Sequence, residues 1–178
     1  MVILAGPFQT PEIVLRHEID LADPWVRESM HPYHQELGDR DSAGAHARRR
    51  GCAAARKATS RALRRLVSEM RRHGLEPSKA IVVVSGRANP APAGGAHARA
   101  HAEERQLYTE AVEAALGACG LHVATIRENA LGLVASKRLA RERQDIDAAL
   151  KAFSHKVGTP WRAAEKHAAL AAWLALPR

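Results

Sequence analysis

Aromatic side chains are scarce in this chain, with two phenylalanines, two tyrosines and three tryptophans in 178 residues. Cysteine is scarcer still: Cys52 and Cys119 fit no zinc-ligand spacing and no disulfide framework. Both read as small, buried apolar residues of a protein kept in a reducing compartment. No hydrophobic run reaches the length of a membrane span, and the opening MVILAGPFQTPE has neither the basic start nor the long apolar stretch of a secretory signal. A cytoplasmic protein without a membrane partner is therefore expected. The sequence also lacks GxSxG, so Ser85 has no nucleophile-elbow setting, and no internal repeat is found.

Alanine is over-used, which predicts helices packing through small side chains and more helix than strand. At this length one α/β domain, 1–178, with a sizeable core of its own is expected. The net charge is +8, and it is concentrated. Between Arg48 and Arg72 ten basic residues face the single acid Glu69, leaving the remainder close to neutral. A basic row on one helix is the footprint of a polyanion partner, nucleic acid first, and Arg56, Lys57, Arg61, Arg64 and Arg65 are its candidate contacts. The alternative is a well-solvated helix face.

Val2 to Ala5 reads as a strand stopped by Gly6-Pro7, and Glu12 to Leu21 as a second strand with His17 on its apolar face. From Asp23 to Arg50 periodicity is lost, and a long loop is expected, mobile from Gly38 to Gly44. A helix follows from Ala45 or Gly51 to His73, with Ala55, Ala58, Ala62, Leu66 and Met70 as its apolar stripe and Gly74 as its C-cap. Ile81 to Val84 is a continuously apolar strand, expected to be covered on both faces. The Pro/Gly loop Arg87 to Ala96 then delivers a helix ending at Gly117 or Cys119, capped by Gly120. Leu121 to Arg127 is a further strand. Helices are expected over Leu131–Leu139, Arg143–His155 and Trp161–Leu176, the last entered through Thr159 as N-cap and Pro160 at its first position.

Two groups of residues carry the chemistry. His97, His101, Glu104 and Tyr108 follow at intervals of four, three and four, so they share one helix face that continues into apolar positions. Imidazoles one turn apart with a carboxylate suit a divalent metal, and His97, His101 and Glu104 are the candidate ligands. The helix start would equally favour a phosphate. His31, Tyr33 and His34 form the other group; should it fold onto the same sheet end, His31 and His34 could carry protons with Glu104 as their partner. Glu165 is the acid of the charged triplet Glu165-Lys166-His167 in an otherwise apolar last helix.

The order of elements, with the tail VGTPWRAAEKHAALAAWLAL, resembles the ribonuclease H-like superfamily and its RuvC-type resolvases. The resemblance implies a mixed sheet opened by a β-hairpin, flanked by helices and closed by a helical C-terminus. It also implies divalent-metal nuclease chemistry with acids on the first strand, the central strand and the last helix. Here the first strand has no acid, the central strand ends in Ser85-Gly86, and only Glu165 lies where the last helix would offer one. The expectation is a nucleic-acid-binding protein, a degenerate nuclease. The alternatives are a small metal-assisted hydrolase using the His/Glu site and a non-catalytic protein-interaction module.

Overall fold

The structure, a computed structural model, describes residues 1–36, 42–85 and 95–177. The protein is a mixed α/β chain, mostly helical, and its backbone divides into two compact units. One is assembled from Met1–Glu18, Lys79–Gly86 and His122–Arg178, the other from Ile19–Ser78 and Arg87–Leu121.

The first unit opens on a hairpin of β1 (Val2–Ala5) and β2 (Glu12–Arg16). Its register slips between Ile3 and Leu4: Ile3 faces Leu15 but Leu4 faces Ile13, which leaves Val14 as an unpaired bulge. The bulge breaks the alternation expected for Glu12 to Leu21. The strand ends at Arg16, and His17, expected on the apolar face, is exposed and donates its backbone N–H to Met1 O at 3.0 Å. The second sheet is a parallel pair, β3 (Lys79–Val84) against β4 (His122–Arg127), with Val82 opposite Thr125. Among the described residues the two pairs are separate sheets rather than one mixed sheet. With one partner only, β3 is half-buried along Ala80–Val84 rather than covered on both faces.

Three helices complete this unit: α3 (Glu128–Leu139), α4 (Arg143–Val157) and α5 (Ala163–Ala175). The last starts later than the Thr159-Pro160 signal suggests. Arg162 is its N-cap, and the Glu165 carboxylate accepts the Arg162 N–H at 2.8 Å, which fixes the first turn there. The core of the unit gathers on α5, where Trp173 is fully buried. Its indole N–H donates to Phe8 O at 2.8 Å, and the Phe153 ring meets it edge-on. Trp173→Ala is expected to cost about 3–5 kcal/mol of stability in urea unfolding. Trp173→Phe keeps much of the aromatic packing and removes the indole hydrogen bond to Phe8 O, so it should cost less, about 1–3 kcal/mol.

The second unit is built on two long helices, α1 (Ser42–Arg72) and α2 (Ala96–Ala118). They run in the same direction: Arg56 faces Glu110, and further along Arg71 donates to Cys119 O at 2.9 Å. Gly74 and Gly120, both at positive φ, end the two helices as expected, each followed by a residue whose N–H reaches back five positions. The buried stripe of α1 is Ala55, Ala58, Thr59, Leu63, Val67 and Met70. Ala62 and Leu66, expected on it, are half-buried beside it.

The expected loop of residues 23–50 is largely ordered. Two 3-10 turns, Arg27–Ser29 and Pro32–Glu36, pack on α1, and α1 already begins at Ser42. Of the stretch expected to be mobile, 38–41 lies outside the described residues and 42–44 opens α1; 87–94 of the Pro/Gly loop also lies outside them. No helix among the described residues is long and apolar enough to cross a membrane.

Candidate metal centre

The site lies within the second unit, and α2 supplies half of it. Its buried face runs through Ala100, Glu104, Leu107, Ala111 and Ala115, so Glu104 occupies a core position in an otherwise apolar stripe. The carboxylate is 7 % exposed. A buried carboxylate is tolerated where hydrogen-bond donors converge on it. Here the donors are two histidines, His34 with Nδ1 2.7 Å from Oε1 and His31 with Nδ1 3.3 Å from Oε2, while His101 Nδ1 stands 3.7 Å from Oε2.

His31 and His34 come together because the turn Pro32–Glu36 is 3-10. At three residues per turn, positions three apart eclipse, and the His34 N–H closes on His31 O at 3.2 Å. The segment is pinned from several sides. Ser29, fully buried, accepts the Asp23 N–H at 2.8 Å and donates its hydroxyl to Asp23 O at 3.0 Å. Tyr108, one turn beyond Glu104, donates its hydroxyl to Ser29 O. Thr59 on α1 donates to Leu21 O at 3.2 Å, and Arg50 pairs with Glu28. Gly51 completes the seat: the Glu28 backbone lies so close that a Cβ there would stand 2.5 Å from Glu28 O.

His97 and His101 stand in front of the carboxylate, one turn apart, with their Nε2 atoms 3.0 Å from each other. The His34 ring packs edge-on against both, at 4.7 Å from His97 and 4.5 Å from His101. One ring nitrogen from each of His34, His97 and His101 falls within a sphere of mutual distances under 4.8 Å. Two nitrogens bound to one tetrahedral zinc would be about 3.3 Å apart. The hydrogen bond of His34 Nδ1–H to Glu104 leaves Nε2 as its ligand atom, the outer-shell arrangement by which carboxylates fix the tautomer of metal-binding histidines. His31, His34 and Glu104 form a second group of suitable spacing, but their atoms already hydrogen-bond directly. Thus His34 groups with the candidate ligands His97 and His101, and with His31 and the candidate ligand Glu104, whose carboxylate is the shared acceptor of His31 and His34.

The imidazolium form of His101 is disfavoured, first by desolvation and then by His34 and His97, so its pKa lies below the ordinary value of 6.5. Neutral imidazole is the form that binds a metal. Behind the turn, burial pushes the Cys52 thiol up, which keeps it protonated and out of the ligand set. Cys52 and Cys119 are free and half-buried rather than buried.

The histidines line an open concavity of about 550 Å³ together with Arg27, Met30 and Gln35. Arg27 and Gln35 carry no sequence signal, since nothing in their spacing distinguishes them from surface residues. The expected catalytic acid Glu165 belongs to the other unit, where its carboxylate caps α5. The basic row on α1 is partly used internally: Arg56 pairs with Glu110 at 3.5 Å and Arg61 with Asp23 at 3.8 Å. Lys57, Arg64 and Arg65 are exposed, with no ion pair among the described residues.

These features define a candidate histidine-rich divalent-metal centre carried by a helical unit. Compared with family models, with curated proteins and with solved structures, the chain matches none.

Proposed function

We propose that the protein binds one divalent metal ion through His34, His97 and His101, set in place by Glu104, and acts as a small metal-assisted hydrolase. The observation that carries this reading is the convergence of imidazoles from segments 70 residues apart in sequence on one buried carboxylate, at the mouth of a concavity. His34, His97 and His101 would hold the ion, which would supply an activated water for hydrolysis. The residue proposed to carry protons there is His31, whose side chain is 63 % exposed and whose Nδ1 faces Glu104.

Protein purified without chelator is expected to hold one zinc or similar ion per chain by elemental analysis, and the double variant His97→Ala/His101→Ala to hold none. An empty wild-type protein that also fails to take up zinc in titration would sink the proposal. Acid should release the ion between about pH 7 and pH 5, as protons compete for the imidazoles. The apo protein should lose stability over the same window. With the folded pKa of His101 lowered, the unfolded chain binds more protons below pH 6.5, so stability falls as pH falls.

A second reading is nucleic-acid binding on a ribonuclease H-like layout, supported by the exposed Lys57, Arg64 and Arg65. It predicts affinity for a duplex or single strand that falls steeply with salt and is lost when the three are replaced by Ala. Salt-independent retention would end it.

A further inference from the structure

The wall of the concavity has a one-sided charge. Arg27, Met30, His31, His34, Gln35, His97 and His101 line it, and among the described residues no carboxylate does. Among the described residues the acid of the site is Glu104, which lies behind the histidines with its oxygens hydrogen-bonded to His31 and His34. Arg27 is exposed and has no acidic partner among the described residues beyond the adjacent Glu28, whose carboxylate is taken by Arg50. Gln35 adds an amide whose N–H2 donates to His31 O at 3.2 Å, one of its two protons remaining for a ligand. His97 stands in the first turn of α2, whose N-cap Gly95 has no side chain to occupy the free N–H groups, so the helix dipole adds to the positive field.

We infer that the ligand of this concavity carries a phosphate group, held between the metal and Arg27. The inference rests on the metal centre proposed above and names the substrate class of that same site. A divalent ion beside a guanidinium places three positive charges around one space, which matches a phosphate dianion better than a singly charged carboxylate. The guanidinium fork offers two parallel N–H donors to two phosphate oxygens. The volume suits a small phosphorylated molecule rather than a polymer.

The test uses inorganic phosphate as the probe, on the full chain loaded with zinc, by titration calorimetry at constant pH, with acetate as the competing anion. Wild type should bind phosphate at least tenfold more tightly than acetate. Arg27→Ala should weaken phosphate at least tenfold while leaving the zinc stoichiometry at one, and Arg27→Lys should recover part of the affinity. Arg27 is on the surface, so folding is preserved and zinc stoichiometry reports it directly. A chain that takes up zinc but binds phosphate no better than acetate, or equally well without Arg27, overturns this inference and leaves the metal centre standing. A chain that takes up no zinc overturns the metal centre and this inference with it.

Discussion

Glu104→Ala is expected to weaken zinc binding at the proposed centre by about 10–100-fold, as the loss of an outer-shell partner of the ligating histidines does. The reason is geometric. The carboxylate is the common acceptor for His31 and His34 and lies 3.7 Å from His101 Nδ1. Without it the His34 ring, 20 % exposed, loses the partner that fixes its tautomer and holds it edge-on against His97 and His101. The apo protein should also lose about 1.5–3 kcal/mol, the worth of hydrogen bonds to a charged group in a buried setting. Glu104→Gln keeps the shape and one acceptor oxygen, so it should fall between wild type and Ala in both measurements. Competition with a chromophoric chelator reads the affinity, and urea unfolding of the apo protein reads the stability. An alanine variant that holds zinc as tightly as wild type would show that the histidines are positioned by their backbones alone.

The second large effect is at Gly51. Helix propensity predicts that Gly51→Ala stabilises α1 by about 1 kcal/mol. Tertiary packing predicts the reverse. The new Cβ would stand 2.5 Å from Glu28 O and 2.9 Å from Glu28 C, backbone atoms that no side-chain rotation can remove. The turn carrying Glu28, Ser29 and His31 must then move away from α1, at about 1–3 kcal/mol for overpacking. Net destabilisation is expected, together with weaker zinc binding, because His31 and His34 ride on that segment. Gly117→Ala in α2 is the control: nothing lies within 4 Å of its Cβ position, so there the propensity gain should stand. If both variants gain stability in thermal unfolding, the close approach at Gly51 is not present in solution.

The sequence by itself determined the elements whose signals are local. The apolar β-branched run Ile81–Val84, the Gly74 and Gly120 helix ends, and the shared face of His97, His101, Glu104 and Tyr108 follow from period and from glycine's access to positive φ, and each is found as expected. The convergence of both histidine groups, which the sequence raised only as a condition, is a long-range contact instead. Elsewhere a specific hydrogen-bonding or packing partner outweighed the local pattern. The bulge at Val14 ended β2 early, the carboxylate of Glu165 moved the start of α5 past Thr159-Pro160, and packing on α1 ordered a stretch with no periodicity of its own into 3-10 turns.

The site divides in the same way. Its α2 half was legible because helical periodicity is written in the chain at intervals of three and four. The roles of its members were not. Tertiary structure alone decided that His34 joins His97 and His101 as a third imidazole, that Glu104 is the shared acceptor of His31 and His34, and that Arg27 and Gln35 wall the concavity. Those facts depend on contacts between residues some 70 positions apart. Such contacts are fixed by which faces can be buried together, and one chain read residue by residue carries no record of that choice.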